Sequence, residues 1–439
     1  MAQKTTRRRF LQTTTVASVG YWAAGGLQAQ ESTSQNQRIA MASIGIGNKG
    51  SGDSTDAGRF GDLVAICDPD KKYLEGIGRK FPKAKRYTDF RKMLDEMGGS
   101  IDAVTVSTPD HNHAPIALMA MKMGKHCFCQ KPLTRSIYEA RLMGKVAREM
   151  KVVTQMGNQG TAHPGLRESA ALLRAGALGT VKEVHVWTNR PVWPQGASRP
   201  QSEDLPESLD WENWIGVAPM RPFAKGYHPF TWRGYWDFGT GALGDMACHT
   251  VNMPFMGLDL RNPTAVQAVT SGHNGDSYPK WSIINFDFPA NDWRPAIKFV
   301  WYDGGKRPDR EILEGKKMKK AGCLVVGEKA KLYSVDDYGK DREIIGDVEL
   351  PKVEYRRPRG SHFSEWVDAI KGGEPATSNF PDYAGPLTET ILLGNLAVWP
   401  ANEGEGPRVE WDSKNLKASV DGLDRIIKPV YRNEYVLDV

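Results

Sequence analysis

The run Gly45-Ile46-Gly47-Asn48-Lys49-Gly50 constrains this chain more than any other stretch. It follows a short apolar segment, Arg38 to Ile46, and has the spacing G-x-G-x-x-G where a strand should turn into a helix. The first glycine permits a tight turn, the second lets backbone approach a pyrophosphate, and the third lets the helix pack on the strand. The helix start then aims amide donors and a positive dipole end at the phosphates. A second strand, Leu63 to Cys67, ends in Asp68, ~18 residues beyond Gly50, about where an acid accepts from the adenosine ribose hydroxyls. A carboxylate there repels a 2′-phosphate, so the expected cofactor is NAD, with Lys71 and Arg79 leaving NADP as the weaker alternative.

The pattern continues in the same style. Tyr87 to Met97 reads as a helix with Phe90, Met93 and Leu94 on one face. A strand from Ala103 to Ser107 runs into Thr108-Pro109-Asp110-His111-Asn112-His113, then a helix (Ala114 to Met123), then the strand His126–Cys129, which ends in Gln130-Lys131-Pro132. Alternation of strand and helix up to about Gly157, with polar residues at the strands' carboxyl ends, predicts a doubly wound parallel sheet whose ligands collect at that edge. The candidate nucleotide contacts are Gly45, Gly47, Asn48, Lys49, Gly50, Asp68, Ser107, Thr108, Pro109, His113, Gln130 and Lys131.

A length of 439 residues suggests two or three domains at roughly 150 residues each. With 40% apolar and 25% charged residues, disordered, collagenous and disulfide-scaffold classes are excluded. No apolar run reaches the ~18 residues of a membrane span. Lys4, Arg7, Arg8 and Arg9 supply four of the six net positive charges, so the remainder is nearly neutral and nucleic acid is not an expected partner. Thr6-Arg7-Arg8-Arg9-Phe10-Leu11, a mildly apolar Val16–Ala24 and Leu27-Gln28-Ala29 resemble a bacterial twin-arginine export signal, which places the mature protein in the periplasm or cell envelope. Cys67, Cys127, Cys129, Cys248 and Cys323 lack metal-site spacing and are expected as buried thiols; no metal is expected.

Together, Gly45/Gly47/Gly50, Ser107-Thr108-Pro109 with His113, Lys131-Pro132 and Asp245-x-x-x-His249 resemble the glucose–fructose oxidoreductase / inositol dehydrogenase / MocA (Gfo/Idh/MocA) family. The resemblance runs from about Arg38 to the end. It implies an α/β protein in which a Rossmann domain precedes a C-terminal α/β domain with a large open, mostly antiparallel sheet. It also implies a nicotinamide cofactor, a sugar or polyol substrate, and a homodimer or homotetramer. The expected divisions are 1–36 (signal and linker), 37–160 (Rossmann) and 161–439 (substrate binding and oligomerisation). Lys131, Asp245 and His249 inherit the catalytic roles. One departure is visible: Gln130 stands where the family usually has Glu, which takes a carboxylate away from the Lys131 ammonium.

Read directly, Asp237 to Gly244 is a glycine-rich loop and Asp245 sits at a helix start, where a carboxylate is favoured. His249 lies four residues on and shares its face, a plausible base with an orienting acid. A simple cap and a hydrogen-bonded core histidine are the competing readings. Six tryptophans, Trp187, Trp193, Trp211, Trp214, Trp232 and Trp236, fall without helical period and are expected mainly in loops. Flat aromatics suit sugar rings, though such residues equally pin a loop to a sheet. The candidate substrate contacts are Asn158, Gln159, His163, Arg190, Trp193, His228, Arg233 and Trp236; His185 alternates with valines and reads as structural. Three functions fit: hydride transfer between a sugar or polyol and a tightly bound nicotinamide, NAD-dependent glycoside hydrolysis by transient oxidation and elimination, and non-catalytic carbohydrate binding on an NAD fold.

Overall fold

Short, β-branched or small-residue strands buried on both faces demand helices above and below, and that is what these residues form. The computed structural model describes residues 38–432; the twin-arginine run and the last seven residues lie outside the described residues. Strands β1 (Ala40–Ile44), β2 (Asp62–Cys67), β3 (Lys85–Tyr87), β4 (Ala103–Val106), β5 (His126–Cys129) and β6 (Thr154–Met156) form a six-stranded sheet in the order β3-β2-β1-β4-β5-β6. Every neighbouring pair in it is parallel. All of Ala103–Val106 is buried, as a strand covered on both faces requires. Order reverses between β1 and β4, which opens the crevice where nucleotides bind in such sheets.

Local chemistry sets the helix starts. Asp70 caps α2 (Lys71–Lys80) by accepting from the Lys72 amide, and Ser136 and Glu139 close a reciprocal capping box on α5 (Ile137–Glu149). The expected helix from Tyr87 begins three residues later. Tyr87 ends β3, and Asp89 caps α3 (Phe90–Met97) through the Arg91 amide. The remaining helices of this half are α1 (Lys49–Phe60) and α4 (His113–Lys122).

The second sheet is mixed and mostly antiparallel. Of its ten strands, β7 (Val181–Trp187), β8 (Ala265–Ser271), β9 (Ser282–Phe288), β10 (Ile297–Tyr302), β11 (Gly322–Gly327), β12 (Lys331–Ser334) and β13 (Arg342–Ile345) run in the order β13-β12-β11-β7-β10-β9-β8, and the short strands Glu403–Glu405, Val409–Asp412 and Lys417–Ala418 extend it beyond β8. Only β7 and β10 pair in parallel. The α/β class and both sheet types agree with the sequence expectation. Every residue of the helix Gly385–Val398 except Pro386 is buried. It is buried all round because it lies between α5 and the strands β8 and β9, and its buried Glu389 is paired with Arg141 of α5. One continuous hydrophobic core therefore includes Val104 and Ala117 of the first sheet's layer and Leu387, Phe286 and Leu243 of the second.

The chain also crosses back. The helix His362–Ile370 packs Phe363, Trp366 and Val367 against Met41, Ile66 and Phe128 of the Rossmann half. Its Glu365 meets Arg167 of the helix Pro164–Arg174, both side chains 3% exposed. All five cysteines are buried free thiols, four in strands and Cys248 in a helix. No described helix is long and apolar enough to cross a membrane.

Candidate active site

The glycine run forms the turn that its spacing requires. Gly45 adopts φ 74°, and a Cβ there would lie 2.7 Å from the Ser107 carbonyl carbon and the Thr108 nitrogen. At Gly50 a Cβ would lie 1.9 Å from the Gly45 carbonyl oxygen. Gly50→Ala must therefore open the turn; in titrations of stripped protein it is expected to weaken NAD binding by at least ~10-fold, about 1.4 kcal/mol. An unchanged dissociation constant would place the nucleotide elsewhere.

Asp68 is held at the end of β2 by two amides: its carboxylate accepts from Ile46 N at 2.8 Å and from Asp70 N at 2.9 Å. Burial raises its pKa to about 6, although these amides pull the other way. Accepting from ribose hydroxyls favours the ionised form, so affinity for NAD should fall as pH drops through that value. The dissociation constant at pH 5 is expected to be roughly 10-fold above that at pH 7. Asp68→Asn should flatten this slope; a parent with no slope would remove the carboxylate from the ribose site.

The cleft continues from Asp68 past Gly45, Gly47, Asn48, Lys49, Ser107, Thr108 and Pro109 to Gln130, Lys131, Asp245 and His249. His113 is not on its wall. Both ring nitrogens are occupied by carbonyls, Pro132 O at 2.9 Å and Thr108 O at 2.8 Å, so it ties the Lys131 loop to the Thr108 loop. Gln130 turns away from the Lys131 ammonium: its amide donates to Asp53 Oδ2 at 2.8 Å, which also receives Ser107 Oγ. The carboxylate missing at position 130 is supplied to Lys131 from elsewhere, by Asp245.

Asp245 corrects the expected cap. The helix spans Gly241–Thr250, so Asp245 lies more than one turn inside it, and Thr240 precedes it. Its side chain reaches out of the helix. Lys131 Nζ donates to Asp245 Oδ1 at 2.9 Å and to its carbonyl oxygen at 2.7 Å. Arg233 Nε donates to Oδ1 at 3.3 Å, and Arg190 Nε stands 4.0 Å from Oδ2. Burial raises this carboxyl, but Lys131 and Arg233 outweigh it and hold its pKa at about 2. Among the described residues no side-chain hydrogen bond joins Asp245 to His249; the Asp245 carboxylate holds the lysine instead.

His249 is buried, and its ring packs edge-on against Tyr338 with centroids 4.9 Å apart. Its Nδ1 has no partner among the described residues. Burial and the nearby Lys131 charge lower its pKa to about 3, so the imidazole is neutral near pH 7. Asp110, unflagged by the sequence pattern as a site residue, also lines the cleft and accepts from Thr240 Oγ1 at 2.6 Å. Burial lifts its carboxyl to about 7.

The substrate candidates divide. Gln159, Arg190, Trp193 and Arg233 line the cleft, joined by Trp232, Phe230 and Tyr338. His228 lines it at the nucleotide end, 3.3 Å from Asp70. Three candidates are corrected. Asn158 is fully buried and accepts from Ser378 Oγ, His163 caps its helix by accepting from Gly165 N, and Trp236 stacks on Tyr278 at 3.8 Å behind the wall. Trp187 is a strand residue in the core, while Trp211 and Trp214 sit on a short helix (Trp211–Ile215).

A glycine cradle that a single Cβ would fill, an acid at the next strand end and a lysine–aspartate–histidine group in the same crevice define an NAD-binding α/β oxidoreductase. Two family models match the chain: the NAD-binding Rossmann fold of the Gfo/Idh/MocA oxidoreductase family over residues 38–158, and that family's C-terminal alpha/beta domain over residues 171–341. Together they take in more than half of the chain, which belongs to the Gfo/Idh/MocA oxidoreductase family. It is similar to the levoglucosan dehydrogenase of Pseudarthrobacter phenanthrenivorans, 27% identical over 188 residues, or 43% of this chain and 40% of that protein. It is also similar to the scyllo-inositol 2-dehydrogenase (NAD(+)) of Bacillus subtilis, 29% identical over 155 residues, 35% of this chain and 42% of that one. These matches span about two fifths of each relative. In fold it is similar to an inositol dehydrogenase homologue from Azotobacter vinelandii complexed with NADH and myo-inositol, with a TM-score of 0.56 and 17% identity over 86% of this chain and 98% of that one.

Proposed function

We propose that the protein oxidises a hydroxyl-bearing carbon of a sugar or polyol, passing hydride to a tightly held NAD. The observation that carries this is the convergence of Lys131, Asp245 and His249 at the inner end of the cleft that begins at Asp68. NAD supplies the hydride acceptor when bound. Lys131 donates to the reacting oxygen and stabilises the charge it gains as its proton leaves. Asp245 fixes that ammonium in place through its carboxylate and its carbonyl oxygen. His249, on the same cleft wall, takes the proton. Trp193, Trp232 and Phe230 offer apolar faces to the ring carbons, and Arg190 and Gln159 offer donors to its hydroxyls. The test is to mix NAD-loaded protein with a panel of sugars and polyols and follow nicotinamide absorbance with product mass. Reduced nicotinamide together with a product two hydrogens lighter supports the reading; no reduction on any of them overturns it.

Asp110 favours a second reading. A buried carboxyl near neutrality in the same cleft is a proton donor and acceptor that simple oxidation does not need. Transient oxidation makes an adjacent C–H acidic, and loss of that proton with the glycosidic leaving group, followed by water addition and hydride return, would hydrolyse a glycoside. Glycoside cleavage with solvent deuterium entering the sugar and no net nicotinamide change would select this route.

The same proposal includes export by the twin-arginine route, supported by Thr6-Arg7-Arg8-Arg9-Phe10-Leu11, and assembly as a homodimer or homotetramer over the outer face of the mixed sheet. Val269, Ile283 and Tyr302 on that sheet are only part-buried.

A further inference from the structure

Residues 206–230 leave the mixed-sheet half and cross the mouth of the Rossmann crevice. They are tied to three different loops at the carboxyl ends of parallel strands. After β1, Asn48 Nδ2 donates to the Pro229 carbonyl at 3.5 Å. After β2, Lys71 N donates to Ser208 O and Asp210 N donates to Pro69 O, both at 2.9 Å, around an isolated antiparallel bridge between Asp70 and Leu209. There His228 Nε2 also meets Asp70 Oδ2 at 3.3 Å, with its ring edge-on to Tyr73. After β4, Asn112 Nδ2 donates to the Trp214 carbonyl at 3.0 Å, and His111 Nε2 lies 3.1 Å from the same oxygen. Between the anchors, Asn213, Trp214 and His228 face the cleft that Asp68 lines from the other side. Trp214 is itself fixed, stacked on Trp211 at 4.6 Å and 12° and edge-on to Phe238.

We propose that this segment is a strap forming the second wall of the adenosine site, and that it makes NAD a retained cofactor instead of an exchanging one. Asp68 and the glycine cradle hold the nucleotide from the Rossmann side. Trp214 and His228, contributed by the other half of the chain, close it from above. A nucleotide seated between them leaves only when the strap lifts from anchors on opposite rims together, so dissociation is governed by strap opening. Anchoring at one rim alone would form a hinged flap; anchoring at three loops forms a bridge. The inference rests on NAD binding and not on the sugar chemistry.

The test measures exchange without any sugar. Full-length protein loaded with NAD is passed through desalting, its retained nucleotide is identified by mass, and bound NAD is chased with excess etheno-NAD while fluorescence is followed. The parent is expected to keep near-stoichiometric NAD through desalting. Trp214→Ala and His228→Ala are expected to exchange at least ~10-fold faster, because changes at a binding surface act mainly on dissociation. Thermal unfolding of each variant shows whether it is folded, and the milder His228→Gln serves if an alanine variant is not. Loss of NAD from the parent within the mixing time, or folded variants that exchange at the parent's rate, would overturn the strap. Neither result bears on whether hydride is transferred to a sugar.

Discussion

Lys131→Met is expected to cut turnover by ~10³-fold, about 4 kcal/mol, with NAD still bound. The methionine matches the lysine's aliphatic stem and lacks the ammonium, so the reacting oxygen loses its charged donor. The loss should appear in kcat and kcat/KM together, since the interaction strengthens as the oxygen gains charge. A second effect follows from the ion pair. Asp245, whose pKa Lys131 and Arg233 hold near 2 against burial, would be left with Arg233 as its hydrogen-bonded cation, and its pKa should rise. Lys131→Met and Asp245→Asn should therefore be less than additive when combined, because each removes the same pair. Single-turnover rates on NAD-loaded protein check this. A Lys131→Met rate within ~3-fold of the parent would remove the lysine from the chemistry.

The second large effect is on stability. Arg167 Nη2 donates to both oxygens of Glu365 at 2.7 and 2.8 Å and to Thr377 Oγ1 at 3.0 Å. Its Nε donates to Thr161 O at 2.7 Å and Nη1 to Arg356 O at 3.0 Å. The pair is buried, and it joins a helix of the mixed-sheet half to the helix that carries Trp366 onto the Rossmann half. Arg167→Met leaves Glu365 as a buried charge with Thr377 as its remaining side-chain partner, which should cost ~3–5 kcal/mol. The thermal midpoint should fall by roughly 10 °C. Because the penalty comes from the orphaned charge, Arg167→Met with Glu365→Leu should recover much of the loss. A single variant that melts with the parent would show that the pair carries no such role.

The Rossmann half was legible because its information is local. Four of its strands run into a residue that serves the crevice, Gly45, Asp68, Ser107 and Lys131, and the helices α2, α3 and α5 each start on a side-chain cap, Asp70, Asp89 and Ser136. His163-Pro164 carried a helix-start signal, proline at the first helical position, that would have placed His163 as a cap. Asp245 was harder. Gly239, Gly241 and Gly244 look like a loop, yet Gly241 begins the helix, and Gly394 of the long apolar helix gives Leu243 room to pack. Tertiary packing overrode glycine's helix cost there. Asn158 and Trp236 could not be assigned locally, because Ser378 and Tyr278 decide where they point. Tyr338 and Asn213 reach the cleft by long-range placement, with no periodic or motif signal. Asp110 had a partial signal, sitting just past the β4 end among candidate cofactor residues.

The most direct test of the central claim follows one hydrogen. NAD-loaded protein is incubated with glucose and with inositol carrying deuterium on their hydroxyl-bearing carbons, and the nicotinamide is released and weighed. Transfer of one deuterium, as deuteride, to the ring, abolished in Lys131→Met, is the result expected. A nicotinamide that gains no deuterium from either compound, while NAD remains bound, would contradict hydride transfer from sugar or polyol carbon.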